Sequence, residues 1–457
     1  MDVSQYNLLD EFRIPGHWWL PSNPGDRVAG SLSVSPEGGV RLELTGLFSS
    51  PDFDPARVFS NRQPIRSDLV LGEDADGDVY TLYKVDALHI STTSTLRVSY
   101  LLAGRHFPSV EEIGFRSALV QYSHLEAWSC FQFTRPTKSA SPDFFSIEIP
   151  TNRVPLFRTN ATGPIKELSL RAHALSRFTL STVEIKPSAH FWIDLHAAAD
   201  LKTFFALSDD LGQLMTMLVG EPSYVKKLRL FDSGDAGVDL FFPSTIRRQD
   251  ELHSPLMCFP LRDIINVVQA LTEQWFGSLT LLGPVYDLLF GTLFGRESFV
   301  QSKFLSLTQA LESFHRRTAG GTYMPTDDFL PVKDSLIAAV PASVPDSLRR
   351  RLSDTIKYAN DYSLRKRLKE LLSGLDGSTV EMLKISDIAG MAELVVKSRN
   401  YLTHFDEESE AGLANDIVGM HYMNERLTAL LFILILKRLG MDEATAARGT
   451  LKRRFFQ

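Results

Sequence analysis

Ser398-Arg399-Asn400-Tyr401-Leu402-Thr403-His404-Phe405 closes a long stretch whose apolar residues recur at helical spacing. Its reading sets the class of the C-terminal half. Projected at roughly 100° per residue, Ile388, Met391, Val395, Leu402 and Phe405, with the small Ser398 among them, form one stripe suited to a core. Arg399, Asn400, Thr403 and His404 fall on the opposite arc. That arc sets a cation beside an imidazole, which suits a phosphodiester. It is also the composition of the wet side of any amphipathic helix. Spacing alone does not decide, because Arg248 and His253 repeat the interval after the strand-like run Val238–Pro243, where no long helical period exists.

Outward from the motif the C-terminal part reads as helices. Glu297–Arg317 keeps Phe304, Leu307, Leu311 and Phe314 on one face. After the break at Pro341–Pro345, Leu348, Leu352 and Ile356 begin a helix that Leu364, Leu368 and Leu371 continue, and Gly374 with Gly377 ends it. The motif helix spans about Ile385 to Phe405. An acidic loop, Asp406–Glu410, separates it from a last helix over about Leu413–Leu439. Four or five helices with short connections predict an antiparallel bundle. The main boundary is expected at Gly283-Pro284, giving a helical domain over 284–457.

Residues 1–193 have a different texture. Arg27–Val34 and Val40–Thr45 alternate apolar and polar residues around the turn-forming Pro36-Glu37-Gly38-Gly39, which predicts a hairpin. Asp78–Tyr83, Leu96–Leu101, Phe115–Val120, Phe144–Ile149 and Glu167–Leu170 repeat the pattern. Many short strands imply a sandwich or barrel-like domain. Residues 194–283 read as a mixed, mostly helical connection: Ala197–Leu230 is predicted helical, 238–242 a strand, and Leu261–Phe276 a helix. The fold class is therefore α+β and multidomain, with a β-rich N-terminal region followed by a helical bundle.

Composition narrows the function. With 457 residues, two or three domains are expected. A hydrophobic share of 44% and a charged share of 23% mark an ordinary globular chain rather than a disordered one. The net charge of -7 excludes chain-wide attraction to nucleic acid, so any RNA contact needs a local basic patch. Arg349-Arg350-Arg351, Lys357, Arg365-Lys366-Arg367 and Lys369 on one helical segment, with Lys452-Arg453-Arg454, are the candidates; a solvated helix face is the plainer alternative. Two cysteines, Cys130 and Cys258, exclude a disulfide scaffold and a Cys-rich zinc site. The greasiest run, Ala429–Leu436, falls short of the ~20 residues of a membrane span. With neither a basic nor an apolar leader at the start, a cytoplasmic protein is expected.

Other groupings point less far. Asp74–Asp78 has the acids of a calcium loop without its later glutamate, and predicts a tight β-turn. Trp18 and Trp19 beside His17 suit either a stacked ligand or an aromatic plug in a sheet core. His196, His315 and His421 lack paired ligand spacing, so no metal site is expected.

Two resemblances draw these observations together. Arg399-Asn400, three residues and His404 on the penultimate helix resemble the short-spaced arginine–histidine signature of HEPN ribonucleases. The helix containing Gln309–Arg316 is similar to that family's early helix, with Glu312 at its acidic position. Gly16–Pro21, Val28–Gly30 and Leu42–Gly46 resemble the opening of the ApeA-type N-terminal domain, and Leu101–Phe107, Phe115 and Leu125–Trp128 fit its later pattern. The resemblance implies an anti-phage defence protein of the abortive-infection type, with a β-rich sensor for a phage-derived trigger fused to a homodimeric endoribonuclease that requires neither metal nor cofactor. The substrate implied is loop RNA, such as tRNA.

The residues fit that chemistry. The ribose 2′-OH is a built-in nucleophile, so a base, an acid and a cation suffice. His404 suits the base or acid, Arg399 the cation at phosphorus, and Asn400 orients the ring or a phosphate oxygen. Glu312 is a candidate for setting the imidazole tautomer, and Thr403 for support. Two readings compete: a non-enzymatic HEPN interaction module with a ligand- or partner-binding β-domain, and a carbohydrate-active or other hydrolase using the carboxylates and tryptophans of the β-region.

Overall fold

The computed structural model describes residues 2–36, 38–50, 53, 66–129, 137–138, 145–146, 154–159, 163–178, 181–232, 236–243, 252–295, 299–404, 412–413 and 415–452. The chain divides into two compact units, Met1–Phe276 and Gly277–Gln457.

Alternation builds the first unit. In β3 (Gly39–Leu44), Val40, Leu42 and Leu44 are buried while Arg41 and Glu43 are exposed, the two-residue period of a sheet with one wet face. It pairs antiparallel with β2 (Val28–Ser35), the predicted hairpin. Together with β1 (Phe12–Trp19), β4 (Arg66–Asp74), β5 (Val79–Ile90) and β6 (Ser94–Ala103), these strands form a barrel in the order β6-β3-β2-β1-β4-β5, closed by β5 on β6. Closure leaves no unpaired edge and encloses Ile14, Leu32, Leu42, Val70, Leu82 and Val98.

The tryptophans are the plug and not a ligand platform. Trp18 is wholly buried, and the buried Trp19 carries the Arg27 guanidinium 4.2 Å above its ring. The strand beside Trp18 needs a glycine: a Cβ on Gly72 would lie 2.2 Å from the indole. Gly72→Ala is expected to cost ~1–3 kcal/mol by overpacking. Chemical denaturation of the variant checks this, and an unchanged midpoint would mean that the indole moves aside freely. Asp74–Asp78 is the predicted turn, with Asp74 Oδ1 accepting the Asp76 and Asp78 amides at 3.0 Å each and Gly77 at φ 83°.

From β6 the sheet continues through β14 (Gly237–Phe241), β13 (Val225–Phe231), β7 (Phe115–Tyr122), β12 (Val183–Ala199), β11 (Ile165–Phe178) and β10 (Val154–Thr159), every pairing antiparallel. A separate two-stranded ladder joins β8 (Thr137–Lys138) to β9 (Phe145–Ser146), within the predicted strand Phe144–Ile149, whose other residues lie outside those described. Helix α1 (Leu125–Ser129) follows β7, and α2 (Leu201–Val219) packs on it, burying Phe204, Leu211, Met215 and Leu218.

Two expectations are corrected here. The division at 193/194 does not exist, because β12 runs through it and β13 and β14 complete the same sheet. The helix expected over Ala197–Leu230 ends at Val219, where Gly220 caps it at φ 91°, and the rest forms β13. Cys258 is buried; Cys130 lies outside the described residues.

After α3 (Leu261–Ile264) comes α4 (Val268–Phe294), a single helix through the expected break at Gly283-Pro284. The two units divide within it, at Phe276/Gly277. Pro284 costs a helix roughly 3 kcal/mol. Burial of Leu282, Val285, Tyr286 and Leu289 around it, at roughly 1.5–3 kcal/mol each, outweighs that cost. By length and composition α4 is the one helix among the described residues able to cross a bilayer, with 39% of its most apolar window buried; the stretch Ala429–Leu436 is therefore not the chain's best candidate.

The second unit continues with α5 (Val300–Ala319), α6 (Thr326–Ala338), α7 (Asp346–Lys357), α8 (Leu364–Ser373), α9 (Gly377–Met382), α10 (Ile388–His404), α11 (Ile417–Arg438) and α12 (Glu443–Thr450). The bundle centres on α5, which packs against α8, α10 and α11. Helix α11 is buried almost all round, from Leu427 to Leu436, so it is the central rod. The single helix expected from Leu348 to Leu371 is two, because the chain turns at Tyr358–Asp361 and restarts with Ser363 as N-cap, its hydroxyl accepting the Lys366 amide. Helix α12 was not anticipated; Asp442 caps it by accepting the Thr445 amide at 2.9 Å.

Candidate active site

Helix α10 forms from the stripe described above. Ala392, Val395, Ser398 and Leu402 are buried against α5 and α8, with Ile388 and Met391 partly covered. Phe405 and the acidic loop 406–410 lie outside the described residues. The opposite arc stays out of the core: Asn400, Thr403 and His404 are exposed and Arg399 is half-buried. Arg399 Nη1 donates to Asn400 Oδ1 at 3.1 Å, which steadies the guanidinium beside its neighbour. Thr403 Oγ1 donates to the Arg399 carbonyl at 2.7 Å, so its proton serves the helix backbone.

Ser398 anchors this face from behind. Its hydroxyl donates to the Leu394 carbonyl and accepts the Leu413 amide, both at 2.8 Å. It thus ties the motif helix to the chain leading into α11. Ser398→Ala orphans the Leu413 amide, at an expected cost of ~1–3 kcal/mol. Hydrogen exchange at Leu413 reports the loss, and unchanged protection there would remove Ser398 from this role.

Glu312 is the residue expected to set the His404 tautomer. It faces Arg316 one turn along α5 at 3.5 Å, and Arg316 also binds Asp361 at 2.8 Å. Among the described residues no hydrogen bond joins Glu312 to His404.

The basic candidates separate into two groups. Arg349 and Arg350 on α7 are exposed, Arg349 donating to the Ala342 carbonyl at 2.8 Å. Arg365 is exposed and bound to Glu393 at 2.8 Å, while Lys366 sits 4.4 Å over the Tyr362 ring and 3.4 Å from Glu370. Arg367 is the correction, since it is 1% exposed and cannot meet RNA. Its Nε donates to the Tyr362 carbonyl at 3.0 Å, its Nη1 to the Gly320 carbonyl, and its Nη2 reaches Gly321 at 3.5 Å.

Arg367 belongs to a buried network that spacing did not suggest. Its Nη1 lies 3.0 Å from Nδ1 of His315, and Nε2 of His315 lies 2.9 Å from Glu370. Arginine is always a donor, so Nδ1 accepts and Nε2–H donates to the carboxylate. Burial, with Arg316 nearby, holds the Arg367 pKa below its ordinary value. The signal was available: His315 stands four residues after buried Leu311, on the core face of α5. Arg248, the other half of the competing arginine–histidine pair, lies outside the described residues, and His253 is an exposed cap of a short turn.

A closed β-barrel extended into a sheet, followed by a helical bundle with an outward arginine–asparagine–histidine face, makes a two-part protein, β-rich and then helical. ApeA N-terminal domain 1 matches residues 13–275 and Apea-like HEPN matches residues 305–445, so the chain belongs to the ApeA family. That family is one of anti-phage defence HEPN nucleases, and HEPN domains are generally ribonucleases that dimerise and act on RNA. No curated protein and no solved structure matches the chain.

Proposed function

We propose that the protein is a metal-independent endoribonuclease of abortive-infection defence, with Arg399, Asn400 and His404 as its catalytic face and the N-terminal unit as sensor and regulator. The observation that carries this is the placement of all three polar side chains outside the core on one arc of α10, with Arg399 hydrogen-bonded to Asn400. His404 removes the 2′-OH proton or protonates the leaving 5′-oxygen. Arg399 neutralises charge on the phosphorane through its planar fork of donors. The 2′-oxygen bonds to phosphorus as the P–O5′ bond breaks, leaving a 2′,3′-cyclic phosphate and a 5′-hydroxyl. One imidazole per chain supplies one proton carrier, so two copies across a homodimer supply both. The in-line geometry requires pliable single-stranded or loop RNA, tRNA loops among them. A cytoplasmic site of action follows from such a substrate, and a phage-derived trigger relieves restraint by the N-terminal unit.

The exposed α7 arginines provide the phosphate contact. Arg350→Gln is expected to weaken RNA binding at all sequences and to flatten the salt dependence by about 0.7 in log–log slope per phosphate lost. Filter binding across a salt series measures this; an unchanged slope would return α7 to the role of a solvated face.

The direct test of the chemistry is cleavage of an RNA oligonucleotide, and of the same oligonucleotide with 2′-deoxyribose at the cut position, by protein purified from phage-challenged cells. The ribose substrate is expected to be cut and the deoxy substrate to resist. Equal cutting of both would exclude 2′-OH attack.

A further inference from the structure

One cavity in the N-terminal unit has no part in the proposed cleavage. Strands β11, β12, β7 and β13 are neighbours, and alternation brings His173, Ser188, His190, Gln121, Lys227 and Arg229 to one face. The opposite face holds the apolar core, with Val120, Phe191 and Leu228 buried. A sheet face that merely meets water leaves its polar groups exposed. Here His190 is fully buried and Ser188 nearly so, beneath a cavity of about 1030 Å³. That volume lies at the upper end of the range for small-molecule sites.

The cavity has two kinds of lining. Lys227 and Arg229 share a single carboxylate, Asp239, at 3.6 and 3.4 Å. Burial pushes the Asp239 pKa up in spite of both cations. Lys186, Lys226, Lys227 and Arg229 set four cations against three carboxylates, Asp239 and the lining Glu126 and Asp232, with the His173 and His190 rings edge to face 5.7 Å apart nearby. Lys186 and Lys226 stand at the rim. Next to them Trp192 and Phe231, with ring centroids 5.0 Å apart, add aromatic lining beside Leu119, with the Arg171 guanidinium 4.6 Å over the Trp192 ring. Cations set beside an aromatic pair, with the Arg229 guanidinium itself 5.9 Å over the Phe231 ring, suit a molecule that is anionic at one end and flat and apolar at the other.

We propose that this cavity binds a small organic phosphate of the nucleotide class, its phosphate against Lys227 and Arg229 and its ring along Trp192 and Phe231. This proposal does not rest on the ribonuclease reading, because every residue that carries it lies in the N-terminal unit.

The test is calorimetric titration and thermal melting of the full chain with the four ribonucleoside monophosphates and ATP, with inorganic phosphate and adenosine as half-ligands. At least one nucleotide is expected to bind and raise the melting temperature more than phosphate or adenosine alone. Lys227→Gln is expected to weaken that binding by about ten-fold or more, the loss of one charge-assisted hydrogen bond. Lys186→Glu, an exposed rim change that leaves the fold alone, is expected to weaken it by a smaller factor. Circular dichroism and the ligand-free melting temperature establish that each variant is folded. No binding by any nucleotide at millimolar concentration, or equal binding by wild type and Lys186→Glu, would overturn the proposal. So would phosphate or adenosine alone matching the nucleotides.

Discussion

Arg399→Ala and His404→Ala are each expected to abolish RNA cleavage while leaving the protein folded. Loss of a positioned acid or base costs roughly 10²–10⁴-fold in rate, and loss of a cation at the developing charge costs about 10²–10³-fold. Both side chains lie outside the buried stripe of α10, so their truncation should change stability by no more than about 0.5 kcal/mol. Asn400→Ala should fall between wild type and these two, because it frees the Arg399 guanidinium from its 3.1 Å bond without removing the charge. Initial cleavage rates and thermal melts of the same preparations decide the matter. A variant that is folded and fully active would return the arginine–histidine face to the solvated side of an amphipathic helix.

Arg367→Ala is expected to act the other way, with a large loss of stability. The arginine is one of the largest fully buried side chains and gathers the α5 terminus, the turn before α8 and His315 into one network. Removing it orphans the Gly320 and Tyr362 carbonyls and leaves Nδ1 of His315 facing a void. Each buried acceptor left unsatisfied costs roughly 1–3 kcal/mol, so the loss of several together lowers the melting temperature by on the order of 10 °C. Scanning calorimetry of the full chain reads that shift. Had Arg367 been an RNA contact, as its place in a run of basic residues suggested, the variant would melt with wild type and lose only affinity for RNA.

The contrast between these two arginines shows what the sequence made legible. Arg399 was placed by its own helix: the buried residues around it repeat at helical spacing, so its outward direction followed from local period. Arg367 sits in an equally basic run, but its partner His315 is 52 residues away. No local period reports a pairing over that distance. The β-region divides in the same way. Strands β2 and β3 alternate cleanly and were read to within a residue or so. Strand β1 carries Pro15 and Gly16, which mimic a turn, and the 17-residue β12 contains Pro187. Strand β13 continued an apolar pattern that also fits a helix, until Gly220 is recognised as a cap. Gly283-Pro284 carried the signal of a boundary, and tertiary burial overrode it.

The most direct measurement is end-group mapping of RNA from phage-challenged cells expressing wild type or His404→Ala. Wild type is expected to give discrete new ends bearing 2′,3′-cyclic phosphate and 5′-hydroxyl groups, and His404→Ala none. Identical new ends in both, or ends bearing 3′-hydroxyl and 5′-phosphate, would contradict catalysis by the Arg399–His404 face.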